Sequence, residues 1–402
     1  MFYKNARLFC SDFTFRTGAF EVVDGKFGRI LPEHVPEDAV DLQGATVIPG
    51  LIDVHSHGNS GADFSDGDYE GLKAMAAYYA RVGVTSFAPA SMTLPYEILS
   101  KAFANAKRLS EEKPAGLSVL RGIQMEGPYF SYKKRGAQNP DYLKAPDFDG
   151  FAALQADCGN LVKIVDVAPE LPGAEDFIRR AKEVCTVSVA HTDADYDHAH
   201  MAFSAGATHL THLYNAMPAI HHRNPGVIPA AAENSGVRAE LICDGLHAHP
   251  AMVRFAFRLF GGERMVLVSD SGRCCGCPTA ASLSWAVRMP GWWTAWPAWQ
   301  TAPSPARRPI CMTAWSTPSA SALRRKTLSG PRATTLPAPS MQRHGSAPSK
   351  PARRQTSWSA LPITPPAGSS WPDRRCKHTK APFGQSEGRF VPLFTFRSCR
   401  FP

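Results

Sequence analysis

The chain has 402 residues, which is enough for one large α/β domain with a sizeable core and a small accessory domain. Its formal net charge of +9 would suit a nucleic-acid or membrane partner, but residues 1–270 carry 25 basic and 33 acidic side chains, whereas residues 271–402 carry 19 and 2. Residues 1–270 are therefore acidic. Residues 271–402 are basic, but their Lys and Arg do not follow a pattern typical of nucleic-acid binding, so we expect no nucleic-acid partner.

The first residues lack the charged start, apolar run and small-residue cleavage site of a secretion signal. No stretch reaches 18 uninterrupted apolar residues, so we expect no membrane span. Cysteines are scattered at positions 10, 158, 185 and 243, and two of them lie in apolar runs, which favours reduced core thiols. These features predict a cytoplasmic protein.

Residues 1–46 are predicted to form the first part of a small β-domain, because short strand-like pieces at Phe20–Val23 and Gly28–Leu31 are separated by Gly and Pro. From residue 47 to 275, short apolar runs alternate with amphipathic stretches such as Tyr69–Val82 and Ala174–Glu183, a pattern typical of a (β/α)₈ TIM-type barrel. The eight runs are Val47–Val54, Thr85–Pro89, Leu117–Met125, Leu161–Val167, Val184–Ala190, Ala207–Thr211, Ala239–Cys243 and Met265–Ser269.

Five potential metal ligands follow these runs directly. His55 and His57 follow the first run, Glu126 the third, His191 the fifth and His212 the sixth. In a barrel of parallel strands the carboxyl ends converge on one face, so these residues are expected to meet. Side chains two apart in a strand share a face, which lets the H-x-H pair point the same way. Imidazole and carboxylate ligands suit Zn²⁺, with Fe²⁺ or Mn²⁺ as alternatives.

Asp270 ends the eighth run and is the candidate catalytic residue. A carboxylate at that position could take a proton from the attacking water and deliver it to a leaving nitrogen. The alternative for an Asp at a strand end is a helix N-cap.

Four strings make a resemblance specific: VIPGLIDVHSHG at 47–58, MEGP at 125–128, AHT at 190–192 and THLYNAM at 211–217. They resemble the N-acetylglucosamine-6-phosphate deacetylases of the amidohydrolase superfamily over about residues 1–275. The P-G-x-I-D-x-H-x-H string marks only the superfamily, whereas M-E-G-P and T-H-L-Y-N-A-M point to the deacetylases. The resemblance implies release of acetate from N-acetylglucosamine 6-phosphate in amino-sugar catabolism, by a homodimer if the C-terminal part were intact.

The resemblance also implies roles for individual residues. Glu126, His191 and His212 would hold the catalytic metal, while His55 and His57 match members that bind a second ion, so one or two divalent ions are expected. Asp270 corresponds to the catalytic Asp. The substrate-binding residues would be Gln138, Asn215, Ala216, Arg223 and His247, with Arg223 on the phosphate and Gln138 where some members have a sugar-contacting His.

Two other functions stay open at this point. One is an amidohydrolase acting on cyclic amides, similar to dihydroorotase; such enzymes commonly carry a metal-bridging Lys at the end of strand four, whereas Lys163 lies inside the fourth run. The other is a non-catalytic protein whose basic, Trp-rich tail binds an anionic partner.

Residues 276–402 do not continue the barrel pattern. They hold all eight Trp, between Trp285 and Trp371, and 19 of the 34 Pro, and they show no helical or strand periodicity. Plausible codons for residues 310–318, read from the third base, give LYDCMVNA; in the same phase, residues 293–307 give DGVARLADGTIAGS and residues 352–360 give KAADFVVC. We therefore hypothesise a frameshift between Asp270 and Pro278, which would remove the last barrel helix, expose apolar faces of the first and last strands, and reduce solubility and activity. The pair Cys274 and Cys277 then needs no zinc site to explain it.

Overall fold

The computed structural model describes residues 1–277. The three windows that suggest a shifted frame, at residues 293–307, 310–318 and 352–360, lie outside the described residues. Within residues 1–277 no helix is both long enough and apolar enough to cross a membrane.

A small sheet begins the chain. Its central strand β1 pairs antiparallel with β2 and parallel with β4 and β5, and β3 extends the sheet beyond β2. Ala6, Leu8, Phe20 and Val47 form its buried core. The strand-like pieces predicted in this region lie in β2 and β3. The five strands are β1 (Phe2–Phe9), β2 (Phe15–Val23), β3 (Lys26–Ile30), β4 (Val40–Asp41) and β5 (Thr46–Val47).

Nine of the remaining strands build the barrel, and each of the eight predicted runs overlaps at least one of them; β7 and β8 form a separate antiparallel pair. Six parallel strands run in the order β11-β12-β13-β14-β15-β16, and three more run in the order β10-β9-β6. A parallel bridge between Ala90 and Gln124 links the two groups. The strands are β6 (Leu51–Asp53), β7 (Gly58–Asn59), β8 (Ala62–Asp63), β9 (Val84–Phe87), β10 (Val119–Leu120), β11 (Ile123–Met125), β12 (Val162–Val167), β13 (Thr186–Val189), β14 (His209–Leu210), β15 (Arg238–Ile242) and β16 (Met265–Val268).

The first and last barrel strands meet at their carboxyl ends. The buried carboxylate of Asp53 accepts hydrogen bonds from the hydroxyl and backbone N–H of Ser269. The backbone N–H of His57 donates to the carbonyl of Ser271 at 2.8 Å. Buried polar groups at this seam are therefore paired, and the site-bearing ends of β6 and β16 are held side by side.

Helices follow most barrel strands and cover the sheet. The first illustrates why they form: the side chain of Asp68 caps the amide groups of Glu70 and Gly71, and buried residues recur every three or four positions from Leu72 to Tyr79. The two helices predicted from periodicity are α1 and α4. The α-helices of the described residues are α1 (Tyr69–Arg81), α2 (Tyr96–Glu112), α3 (Phe148–Asp157), α4 (Ala174–Ala181), α5 (Tyr196–Ala205), α6 (Val227–Glu233) and α7 (Pro250–Phe260).

Apolar side chains of the first and last barrel strands are partly exposed. Ile52 of β6 is 59 % exposed, while Met265 and Leu267 of β16 are only partly buried. The small sheet likewise exposes Val23 and Ile30. These are the surfaces that a further helix and further strands would be expected to cover.

Candidate metal centre

Glu126 is the centre of the candidate site. It follows β11 and is 2 % exposed. Its Oε1 atom lies 3.1 Å from Nε2 of His191, 3.2 Å from Nε2 of His212 and 3.5 Å from Nε2 of His55. Its other oxygen, Oε2, lies 3.3 Å from Nε2 of His57. One carboxylate thus faces four imidazoles, so the structure brings together all five ligands predicted from the sequence.

The ligand atoms form two overlapping groups that share Glu126. The first group is Glu126, His191 and His212, and the second is His55, His57 and Glu126. Within each group the ligand atoms lie within 4.8 Å of one another. Nitrogen and carboxylate ligands at this separation fit a divalent cation such as Zn²⁺. The arrangement has room for one or two ions.

The imidazoles are oriented by hydrogen bonds on their far side. Nδ1 of His191 donates to the carbonyl oxygen of Lys134 at 2.9 Å, and Nδ1 of His57 donates to that of Ala90 at 3.2 Å. Because a carbonyl oxygen can only accept, each ring carries a hydrogen on Nδ1, and Nε2 is the nitrogen that faces the centre. This is the orientation that a metal ligand requires.

Two observations show that the centre suits a cation. Nε2 of His191 lies 3.1 Å from Nε2 of His212, a separation that is unfavourable for two lone pairs unless a proton or a cation lies between them. Nε2 of His55 is buried and makes no hydrogen bond to the described residues. A bound divalent ion would satisfy these atoms.

The charges of the metal-free centre are mutually stabilising. Burial would favour the neutral carboxyl of Glu126, but the charges of His57 and His191 outweigh it and hold its pKa well below the ordinary value. Burial would lower the pKa of His57, but the charge of Glu126 outweighs it and raises that pKa to about 10. In the absence of metal, protons therefore occupy positions that a cation would take.

Asp270 lies at the edge of the same centre. Its Oδ1 atom is 3.4 Å from Nε2 of His57 and 3.7 Å from Nε2 of His55. Burial opposes ionisation, but the charge of His55 and a hydrogen bond from His57 hold the pKa of Asp270 below its ordinary value. The carboxylate is thus ionised and next to the ligands, which is where a proton acceptor is needed.

Backbone conformation at the strand ends is unusual. The φ angles of three residues, His191, His212 and Asp270, are 43°, 29° and 46°, in a backbone region that residues other than glycine rarely adopt. Gly127, directly after Glu126, has a φ of 93°, and a Cβ there would meet Oγ1 of Thr93 at 2.1 Å. The glycine of M-E-G-P is therefore needed on two grounds, namely backbone angle and space.

A cavity of about 570 Å³ opens over the centre. Met92, Leu94 and Ile98 give it an apolar side, which the sequence did not indicate. Four of the five predicted substrate-binding residues are among its lining residues. They are Gln138, Asn215, Ala216 and His247.

Arg223 is the exception. It is exposed in the loop between β14 and α6, its backbone N–H donates to His221, and it is not among the lining residues of the cavity. The described lining residues include a different arginine, Arg273, whose guanidinium donates to Asp66 at 2.7 Å. Sequence patterns did not predict a functional role for Arg273, because this residue lies in the loop that follows the last predicted strand.

Gln138 has both ends of its amide engaged. Its Nε2 donates to Oε2 of Glu126 at 2.6 Å, and its Oε1 accepts from the backbone N–H of Thr93 at 2.7 Å. The side chain is 4 % exposed. In this structure Gln138 therefore orients the carboxylate of Glu126, a contact that the sequence did not indicate.

His247 is fixed by the loop that carries it. Its Nδ1 atom is 2.7 Å from Oδ2 of Asp244, and the backbone N–H groups of Leu246 and His247 donate to the same carboxylate. Burial favours the neutral ring of His247, but the hydrogen bond that its Nδ1 donates to Asp244 outweighs burial, and the pKa of His247 is raised. The ring is thus held at the cavity wall in one orientation.

Residues 46–280, more than half of the chain, match the sequence profile of the amidohydrolase family. The chain belongs to the amidohydrolase family. That family is generally metal-dependent, which agrees with the candidate ligand set described above.

Relatives of this amidohydrolase include two N-acetylglucosamine-6-phosphate deacetylases. The enzyme of Bacillus subtilis is 37 % identical over 65 % of this chain and 68 % of the relative. The enzyme of Homo sapiens is 36 % identical over 61 % of this chain and 64 % of the relative. An N-acetylgalactosamine-6-phosphate deacetylase of Escherichia coli O157:H7 is 32 % identical over 64 % and 67 %. The chain thus spans about two thirds of the length of the curated relatives it matches.

Solved structures give the same result. The crystal structure of N-acetyl-D-glucosamine-6-phosphate deacetylase from Mycobacterium smegmatis is 29 % identical, with a TM-score of 0.63 over 69 % of this amidohydrolase and 72 % of that chain. A mutant of the same enzyme, in complex with N-acetyl-D-glucosamine-6-phosphate, gives a TM-score of 0.64 over the same shares.

The structure also bears on the cyclic-amide alternative. Lys163 of β12 is exposed, and its ammonium group donates to the carbonyl of Asn160 at 2.6 Å. It therefore points away from the metal centre and cannot bridge two ions.

Proposed function

We propose that this amidohydrolase removes the acetyl group from N-acetylglucosamine 6-phosphate, giving glucosamine 6-phosphate and acetate. The observation that carries the proposal is the position of Asp270, whose carboxylate lies 3.4 Å from His57 at the edge of the shared Glu126 centre. The named relatives support this choice of substrate.

The ligands for a divalent ion would be Glu126, His191 and His212, with His55 and His57 available for a second ion. A bound ion would supply Lewis-acid polarisation of the amide carbonyl and would make water acidic enough to ionise near neutral pH. We propose Zn²⁺, Fe²⁺ or Mn²⁺, since the ligand set accepts each of them.

Asp270 would manage the proton. Its carboxylate is ionised in the free protein, so it can accept a proton as water adds to the acetamide carbonyl. It can then donate that proton to the sugar nitrogen as the C–N bond breaks. One residue would thus act first as base and then as acid, and the products would be acetate and a free amine.

The cavity would hold the sugar phosphate. Asn215, Ala216 and His247 line it and are proposed to bind the sugar or its phosphate, and Gln138 would reach the sugar only by releasing one of its present partners. Arg223 is proposed to pair with the phosphate, since a guanidinium fork matches phosphate oxygens. Because Arg223 lies outside the cavity wall in the free chain, this role requires its loop to move on binding.

Location, assembly and domain organisation complete the proposal. A cytoplasmic location is supported by the free thiols of Cys10, Cys158, Cys185 and Cys243. We also propose a homodimer for the intact protein, and a chain made of a small β-domain (1–46), a barrel (47–275) and an out-of-frame segment (276–402). The end of the family match at residue 280 supports the last boundary.

The test is an assay of acetate release by the full chain, supplied with each metal in turn. We expect turnover of N-acetylglucosamine 6-phosphate, with N-acetylgalactosamine 6-phosphate as a second substrate because one relative is named for it. A gene corrected by one base between codons 270 and 278 should give higher solubility and turnover. A metal-loaded protein that releases no acetate from either sugar phosphate in either form would contradict the proposed function, and turnover of dihydroorotate would favour the alternative.

A further inference from the structure

Glu240 lies beneath the metal centre, inside the barrel. It belongs to β15 and its side chain is fully buried. Its sequence context, Ala239–Cys243, is an apolar run interrupted by one acidic residue. A carboxylate in such a place is retained only where hydrogen bonds and opposite charges offset the cost of burial.

Three donors surround this carboxylate. Oε2 is 2.9 Å from Nδ1 of His55 and 3.3 Å from the backbone N–H of His212. Oε1 is 3.0 Å from Nε2 of His209, a second buried histidine. Two of the three donors belong to residues whose other atoms face Glu126.

The contact with His55 determines which nitrogen of that ring can bind a cation. Oε2 of Glu240 also accepts from the backbone N–H of His212, and Oε1 accepts from His209, so both carboxylate oxygens act as acceptors. Nδ1 of His55, 2.9 Å from Oε2, therefore carries a hydrogen. Nε2 of His55, which makes no hydrogen bond to the described residues, is left to face Glu126 at 3.5 Å.

His209 has a supporting part in this arrangement. It donates a hydrogen bond to Oε1, the carboxylate oxygen that contacts neither His55 nor His212, and so holds the carboxylate plane in position. His209 itself lies on β14, three residues before His212. Glu240 therefore joins β6 to the end of β14 across the barrel interior, and it does so through two ligand-bearing residues.

A second buried carboxylate provides a contrast. Asp166 of β12 is also fully buried, but its partners are the side chains of Gln124 and Thr211. Burial and the neighbouring charges of Glu240 and Glu126 raise its pKa well above the ordinary value. Asp166 touches none of the four imidazoles, so it has the burial of Glu240 without the link to a ligand.

We propose that Glu240 is the positioning residue of the metal centre: it fixes His55 as the Nδ1–H tautomer, aims Nε2 at the centre and holds the His212 backbone in place. The inference rests on the proposed function only in taking the five residues as metal ligands. Carboxylates that orient ligating histidines in this way commonly change metal affinity by about 10- to 100-fold when they are replaced.

The test compares Glu240→Gln with Asp166→Asn in the full chain. Each protein is stripped of metal and titrated with Zn²⁺ in competition with a chromogenic chelator, which reports affinity and stoichiometry without an assay of turnover. We expect Glu240→Gln to weaken the His55, His57 and Glu126 group by about 10- to 100-fold, and so to bind fewer ions per chain at equal free Zn²⁺. Asp166→Asn should keep the stoichiometry and affinity of the unchanged chain.

His209→Leu gives a second and milder variant if Glu240→Gln does not fold. It removes one donor and leaves the carboxylate, so we expect an intermediate loss of Zn²⁺ affinity. Affinity and stoichiometry equal to those of the unchanged chain in Glu240→Gln, or in His209→Leu if only that variant folds, would overturn the proposal, as would an equal loss in Asp166→Asn. A chain that binds Zn²⁺ as described but releases no acetate would refute the proposed function and leave the role of Glu240 standing.

Discussion

The backbone N–H of Asp270 donates a hydrogen bond of 2.9 Å to the carbonyl oxygen of His55. The two residues end the last and the first barrel strands, and their side chains face the same centre, with Oδ1 of Asp270 3.7 Å from Nε2 of His55. The carboxylate proposed to carry the proton and a candidate metal ligand are therefore fixed to each other by the backbone. The distance between them depends on the closure of the barrel rather than on a flexible loop.

Asp270→Asn tests the role of this carboxylate. The amide cannot accept a proton from water, so we expect kcat for acetate release to fall by about 10²- to 10⁴-fold. Steady-state kinetics at saturating metal measure the effect, and Zn²⁺ content is determined on the same samples. Asp38→Asn, an exposed carboxylate of the small-sheet region, is the control and should leave kcat unchanged. A loss in Asp270→Asn that follows only from missing metal would argue against a proton-transfer role.

Gln138→Leu separates ligand orientation from sugar binding. Because Nε2 of Gln138 donates to Glu126 at 2.6 Å, its loss removes one hydrogen bond to a charged group, worth about 1.5–3 kcal/mol. We expect lower Zn²⁺ affinity and a lower kcat, with KM changed less than kcat. Gln43→Leu, at an exposed turn, is the control. A rise in KM with unchanged metal affinity would instead favour the sugar contact that the family resemblance implies.

Residue patterns predicted the barrel strands and the five ligands because both follow from one rule: apolar runs become parallel strands whose carboxyl ends converge. The partners of these residues could not be predicted in the same way. Gln138 reaches Glu126 from a loop whose path depends on tertiary contacts, and Glu240 meets His55 across 185 positions of sequence. An acidic residue inside an apolar run was the available signal for Glu240, although it does not identify the partner.

Arg223→Ala tests the proposed phosphate contact. Loss of a guanidinium–phosphate pair should raise KM for N-acetylglucosamine 6-phosphate by about 10- to 100-fold. The KM for N-acetylglucosamine, which has no phosphate, should not change. Arg254→Ala, an exposed arginine of α7, serves as the control. Equal effects of Arg223→Ala on both substrates would rule out phosphate recognition by this residue.

The stability of the metal-free protein should depend on pH in two opposite ways. The pKa of Glu240 is lowered from 4.5 to about 2, so its contribution to the free energy of unfolding is present above pH 4.5 and is lost as the pH falls toward 2. The pKa of His57 is raised from 6.5 to about 10, so its contribution to the free energy of unfolding is present below pH 6.5 and is lost as the pH rises toward 10. We therefore expect the highest melting temperature of the metal-free chain between pH 4.5 and 6.5.

Thermal melts in the presence of a chelator, taken across this range, measure the effect. Glu240→Gln should flatten the acidic side of the profile and leave the alkaline side in place. Added Zn²⁺ should stabilise the chain more as the pH rises, because the metal competes with protons for the same nitrogens. A melting temperature that stays constant across the range without metal would contradict the assigned charges.

The contact between Asp53 and Ser269 joins residues that are 216 positions apart. During synthesis at about 5–20 residues per second, the first strand and its two histidines would therefore leave the ribosome roughly 10 to 40 s before the strand that completes the ring. The five candidate ligands and Asp270 can therefore be brought together only after the final strand has been made.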